Sequence, residues 1–260
     1  MSDFKLFEPA KVRAMIAGGE LTIPTAGVCP GYIQANLAIL KKEYAEDLKE
    51  FARKNPKPCP ILEIIEDGTP ISKIVAPGSN VTTDIPKYMV YRNGVLVDEP
   101  TDVSDLWTDD MVVFLIGCSL TFEAALVRAG IRLKHYEQNK RVPMYDSNIA
   151  CDGVGKFQGN YVVSMRPVKR NLVDKAVEIT GKMDYAHGAP VHIGDPLAIG
   201  IKNVFQPDYG DPLDIAEDEI PVFWACGVTP QAVARNAKPD LLIAHSPGYM
   251  LITDQKCGAE

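Results

Sequence analysis

At 260 residues, with 46% hydrophobic and 23% charged side chains, the chain suits one large domain or a domain carrying an insert. Its net charge of −7 argues against a nucleic-acid surface, which needs a basic stripe, while a local Arg and helix N-termini still allow a small anionic substrate. No apolar run approaches the roughly 20 residues that cross a bilayer, and MSDFKLFEPAKVRAM has no signal-peptide core, so a cytoplasmic protein with no membrane partner is expected.

Pro9–Gly18 reads as a short helix with Val12, Met15 and Ile16 on one face, closed by two glycines. The loop TAGVCPGYIQ follows and leads into an expected helix, NLAILKKEYAEDLKEFARKN, which stops before Pro56. Gln34 and Asn36, at its entry, can each donate and accept hydrogen bonds, and serve either as capping amides or as groups that orient a polar ligand. From residue 61 the pattern turns to short strands: LEIIE, ISKIVA, and KYMVYRNGVLVDE with a type I′ turn signal at Asn93-Gly94. Residues 61–110 are therefore expected to form a smaller β-rich subdomain or insert, with 1–60 and 111–260 as the main α/β domain.

Three later stretches share one design. VVFLIG runs into Cys118-Ser119 and then a helix from about Phe122, and VVSM runs into Arg166-Pro167 and then LVDKAVEIT. VFWA breaks at Cys226-Gly227, with Thr229 as expected N-cap and Pro230 at the first helical position. Apolar runs of this kind suit strands buried on both faces. The expected fold class is α/β, a mixed or mostly parallel sheet flanked by helices, with Cys118, Arg166 and Cys226 along one sheet edge. Ile131–Val142 reads as a strand and a turn. HGAPVHIGDP cannot be helical, and LLIAHSPGYMLITD reads as two strands around a Pro-Gly turn.

His192 and His245 sit in such turns and are the candidate proton carriers, with Asp195 placed to orient His192; the alternative is core or loop-stapling imidazoles. Cys226 and Cys118 lie where a helix N-terminus lowers a thiol pKa, although free Cys are usually small buried residues. Arg166 ends a buried strand and must meet a carboxylate, either Glu123 or Asp195 of the chain or that of a substrate. Ser119, Gly227 and Thr229 complete the candidate binding groups through main-chain N–H donors at the two turns. Six singly spaced Cys without a CxxC pair read as thiols, and His187, His192 and Asp195 match no ligand spacing, so no metal is expected. No P-loop is present and no cofactor is expected.

NPKPCP, Gly117-Cys118-Ser119 with Phe122-Glu123, VPMY, VSMRP, HGAPVHIGDP and PVFWACGVTPQ together resemble the YcsI-like hydro-lyase family, which is also the D-glutamate cyclase family. The resemblance runs from TAGVCPGYIQANL to HSPGYMLITD, nearly the whole chain. Ala52, Asp146 and Tyr249 depart from the pattern, standing where Cys, a basic residue and His are usual.

What the resemblance implies is an α/β main domain with a smaller second one, and a hydro-lyase acting on a small amino- or hydroxy-carboxylate. Its leading instance is cyclisation of D-glutamate to 5-oxo-D-proline with loss of water. In that reading His192 and His245 move protons, the turns at Cys118-Ser119 and Cys226-Gly227 polarise the γ-carboxyl group, and Arg166 grips the α-carboxylate. Two alternatives are a non-catalytic binder of small carboxylates or lactams, and an amide hydrolase or isomerase with Cys226 as nucleophile. The partner expected is thus a small-molecule carboxylate, and a chain this apolar is compatible with a homo-oligomer.

Overall fold

In the structure, a computed structural model that describes residues 6–258, two antiparallel sheets meet along a seam bridged by a helix. The first sheet runs β2 (Ile61–Ile65), β5 (Met111–Gly117), β1 (Tyr32–Lys41), β10 (Leu242–His245), β3 (Tyr88–Arg92), β4 (Val95–Asp98). β11 (Leu251–Lys256) pairs the start of β1, on the edge that β10 also uses. The second sheet runs β6 (Met144–Ala150), β7 (Asn160–Lys169), β9 (Glu219–Ala225), β8 (His192–Ile193).

Helices and sheets combine as expected, but the mostly parallel sheet does not: every named strand pair is antiparallel. The physical reason lies in how the apolar runs are covered. In β5, Met111, Val113 and Leu115 enter one core with Leu37 and Ile39, while Val112, Phe114 and Ile116 enter another with Ala38 and Leu40. The 75–88 segment covers the first face through Val75, Val81, Ile85 and Tyr88. α2 (Lys42–Lys54) and α6 (Val228–Ala237) cover the other, through Leu48 and Phe51 and through Val233 and Ala237. Burial on both faces makes a strand uniformly apolar whichever way its neighbours run.

Three local expectations are corrected. NLAIL is not the start of a helix but the second half of β1, and α2 begins only at Lys42. Its side chains alternate between the two cores with period two, which a helical reading of a short apolar run misses. ISKIVA forms no strand, because the N–H groups of Lys73, Ile74 and Val75 and the Ser72 hydroxyl all donate to the buried Glu63 carboxylate. Residues 131–142 contain a short helix, α4 (Lys134–Glu137), in place of a strand. The Asn93-Gly94 turn does form, both residues at positive φ as a type I′ turn requires. Segment 61–110 contributes β2, β3 and β4 to the same sheet as β1 and β5.

Two connections carry the chain across the seam. After β5, a 3-10 turn over Ser119–Phe122 and α3 (Glu123–Arg128) reach a core shared with α5 (Val173–Gly181) and with Val222 and Trp224 of the second sheet. After β9, α6 leaves the second sheet and packs on the first. The polar side chains collect between these crossings.

Candidate active site

The site begins with a gap in the first sheet. β10 pairs β1 at Ala38–Leu40, β11 pairs it at Tyr32–Ala35, and between them the edge of Leu37 has no strand partner. Two side chains complete it: the N–H of Leu37 donates to His245 Nδ1 at 3.0 Å, and its carbonyl accepts from Gln231 Nε2 at 3.2 Å. The Gln231 amide also lies 2.6 Å from His245 Nδ1. A backbone N–H can only donate, so Nδ1 is the acceptor and the ring proton sits on Nε2. Burial lowers the His245 pKa to about 4, against the Leu37 hydrogen bond, so the ring is neutral near pH 7.

One residue before that gap, Asn36 donates from Nδ2 to the Gly117 carbonyl at 2.6 Å. Its amide lies against Gly227, where a Cβ would overlap it. Asn36 therefore joins the ends of β5 and β9, one from each sheet.

Beyond Gly117 lies the charged floor. Arg166 is 1% exposed and donates to Glu123 Oε1 from Nε at 3.0 Å and from Nη2 at 2.6 Å. It also donates to Ser164 Oγ at 2.9 Å and to Ser119 Oγ at 3.2 Å, with Phe122 and Trp224 stacked near the guanidinium. Its carboxylate is thus Glu123 and not Asp195. The second Glu123 oxygen faces His135 Nε2 at 3.2 Å. Burial pushes the Glu123 carboxyl up, but Arg166, His135 and Tyr136 together outweigh it and bring it down to about 2. His187, fully buried and at φ 77°, places Nδ1 at 2.8 Å from the Lys57 carbonyl. Burial lowers its pKa to about 4.

The two thiols differ from expectation. Burial pushes Cys118 up to about 12 and also raises Cys226, overriding the nearby N–H groups of Leu120 and of Gly227 and Val228. A helix terminus contributes about 1 kcal/mol or less, under one pKa unit, whereas removal from water is worth several units. Both thiols are therefore protonated at neutral pH. Thr229 does not cap α6; its hydroxyl accepts from the Val162 N–H and fastens the helix to β7. The N-cap is Gly227, which brings no side-chain hydrogen bond; Pro230 has no N–H and the Thr229 N–H donates to the Cys226 carbonyl, which leaves those of Gly227 and Val228, beside the Cys226 sulfur, as the donors of this turn.

Most of the expected site residues meet here: Asn36, Cys118, Ser119, Glu123, Arg166, Cys226, Gly227 and His245. Gln34 shares the Asn36 face of β1, two residues away. His192 and Asp195 are not brought to them. His192 pairs with Phe223, whose ring packs with Met165 and Tyr145, while Arg166 pairs with Val222 on the opposite face. The Nε2 of His192 meets the Asp195 main-chain carbonyl at 2.7 Å, and the Asp195 carboxylate caps the next turn through the Leu197 N–H, so it does not orient the ring. Among the described residues no group of three His, Cys, Asp or Glu is disposed to hold a metal.

The sequence reading missed Gln231, Ser164 and His135 and weighed His187 only as a ligand. Gln231 was detectable, since it falls one helical turn after Gly227 and so faces the same way. Two surface hollows, about 240 Å³ beside Asp146 and Lys202 and about 260 Å³ beside Arg13 and Asp84, lie elsewhere. At the seam Cys118, Cys226, Gln231 and Ser246 are each 6–9% exposed.

A family model described as D-glutamate cyclase matches residues 112–254, which include every site group except those on β1. A protein of Bacillus licheniformis named "putative hydro-lyase" is 55% identical over 246 residues, covering 95% of this chain and 94% of its own. One from a Thermoanaerobacter species, similarly named, is 54% identical over 254 residues, at 98% and 96% coverage. The Bacillus subtilis protein named "putative hydro-lyase YcsI" is 50% identical over 246 residues, at 95% and 96% coverage. A crystal structure titled as a nitrogen repressor-like protein from Methanococcus jannaschii aligns at a TM-score of 0.40 and 12% identity, covering 94% of this chain and 97% of its own, a likeness too weak to bear on fold or function.

Proposed function

This chain belongs to the D-glutamate cyclase family, and from that premise we propose that it is a hydro-lyase acting on a small amino- or hydroxy-carboxylate. The leading reaction is conversion of D-glutamate to 5-oxo-D-proline and water. The amine nitrogen forms a bond to the γ-carboxyl carbon, and one γ-oxygen leaves as water. The ammonium sheds protons and the departing oxygen gains them, so no oxidant or co-substrate is needed. Ring closure within one bound molecule brings a large effective molarity.

The observation that carries this reading is the locked tautomer of His245 beside the uncapped end of α6. A neutral imidazole presenting Nε2–H is an electrophilic donor to a carboxyl oxygen, and main-chain N–H groups at Gly227 and Val228 favour the charge that builds there. Arg166 acts as a positioning group. It donates to the lone pairs of Ser119 and Ser164, whose hydroxyl oxygens lie 3.4 Å apart, so one of the two donates to the other and the remaining hydroxyl proton is left to meet a substrate carboxylate. A nucleophilic Cys226 is disfavoured by its raised pKa and by the uphill formation of a thioester from a free carboxylate.

Incubation with D- and L-amino dicarboxylates, their hydroxy analogues and the corresponding lactams, followed by proton NMR, tests the proposal. Loss of the open form with appearance of a lactam is the expected result. A panel left intact, with saturable thermal stabilisation by one member, would replace the enzyme with a binding protein.

A further inference from the structure

Gln34 is 5% exposed and lies on the face of β1 that carries Asn36. Its amide orientation is determined by the loop before β1: Nε2 donates to the Thr25 carbonyl at 2.8 Å and to the Val28 carbonyl at 3.2 Å. Both acceptors are carbonyls, so the nitrogen must face them and Oε1 must face away. That oxygen is buried and has no hydrogen-bond partner. A buried carbonyl oxygen left without a donor costs about 1–3 kcal/mol, so its position calls for a donor supplied from outside the chain.

The surroundings point the same way. Among the described residues, four buried side-chain polar atoms have no partner, and three of them belong to Gln34, His135 and His187 around the seam. His187 faces the Lys57 carbonyl through Nδ1, so that nitrogen carries the proton and the unpartnered Nε2 is a lone pair. The unmet groups whose character the geometry determines are acceptors.

We propose that Gln34 is the specificity-determining residue for the substrate's nitrogen, its Oε1 accepting an N–H so that the site takes an amino-carboxylate over the matching hydroxy-carboxylate. The inference rests on the Proposed function for the location of the site, but it concerns binding and does not require turnover. An ammonium offers three donors in any rotamer, whereas a hydroxyl offers one, and that one is shared with its other neighbours. The two loop carbonyls hold the Gln34 side chain in place, so no ordering of that side chain opposes binding.

The test is a thermal-shift and NMR titration of the intact protein with D-glutamate and with D-2-hydroxyglutarate, for wild type and Gln34→Leu. Wild type should bind the amino compound about tenfold or more tightly. Gln34→Leu should bring the two within about twofold by weakening the amino compound alone. Equal binding of both by wild type, binding of neither, or parallel weakening of both by the substitution would overturn the assignment, parallel weakening being what a purely structural role gives. Should Gln34→Leu fail to fold, wild type alone decides. Affinity should fall stepwise through N-methyl- and N,N-dimethyl-D-glutamate, and an unchanged affinity would overturn it. Amino-selective binding without any lactam formed would sink the lyase reading and leave the role of Gln34 standing.

Discussion

Asn36 and Gly227, one on each side of the seam, fit so closely that residue 227 has no room for a side chain. Gly227 sits at an ordinary φ of −66°, so the requirement is steric and owes nothing to backbone freedom. Gly227→Ala should therefore destabilise the fold by about 1–3 kcal/mol through overpacking and displace the α6 amides. Asn36→Ala in the same chain should restore much of the loss, because the clashing atoms are gone. Chemical denaturation of the two single variants and the double variant gives the coupling, and strictly additive effects would contradict the contact.

The two histidines first grouped as proton carriers should separate in kinetics. His245→Ala removes the donor at the gap in β1 and should lower turnover about a hundredfold or more. His192→Ala, on the far face of the second sheet, should leave turnover within a few-fold of wild type. A steady-state assay of both variants on the substrate found by NMR decides, and equal losses would return His192 to the site.

Acid stability should fall in two stages. His187 and His245 have folded pKa values of about 4, below the ordinary 6.5, so between these values the unfolded chain takes up protons that the folded one does not. Their contribution is complete above about pH 6.5 and is lost as pH falls toward 4. Glu123, held at about 2, is likewise depressed, and its contribution is lost from about pH 4.5 downward. Melting temperatures measured across pH 3–8 should show both stages, with His245→Gln shrinking the upper and Glu123→Gln the lower. A profile unchanged by either variant would refute the assignment.

Breaking the buried ion pair should be severe. Arg166→Met strands Glu123 in the core and should cost about 3–5 kcal/mol. Arg166→Met with Glu123→Leu should recover a large part of that, since neither partner then carries an unpaired charge. Urea unfolding of both proteins measures the difference, and a double variant no more stable than the single one would argue against the pairing.

Neither Cys118 nor Cys226 should react readily with iodoacetamide near pH 7.5, because burial holds both thiols in the protonated form. Activity should persist over a time in which a small free thiol is fully alkylated. Rapid inactivation prevented by substrate would make one of them a nucleophile.

Local pattern was enough for much of this molecule. Alternation of apolar and turn residues placed α1 (Pro9–Ala17), the hairpin at Asn93-Gly94, and strands β5 and β9 with their breaks at Cys118 and Cys226. It also required a carboxylate for Arg166, because an unpaired buried guanidinium is unstable in any fold. Strand direction was not legible, since an apolar run records that both faces are covered and says nothing about which way its neighbours point. Nor was the end of β1 at Lys41, where strand passes into helix without a Pro or Gly.

Chain by itself, then, determined which residue types stand at the strand ends and what each needs in order to be buried. Tertiary structure alone decided which of them meet. Whether an imidazole reaches Arg166 depends on which face of a sheet it takes, and a single residue of register reverses that. His245 and Gln231 joined the site because β10 and β11 leave Leu37 between them without a strand partner, a consequence of pairings between segments more than two hundred residues apart.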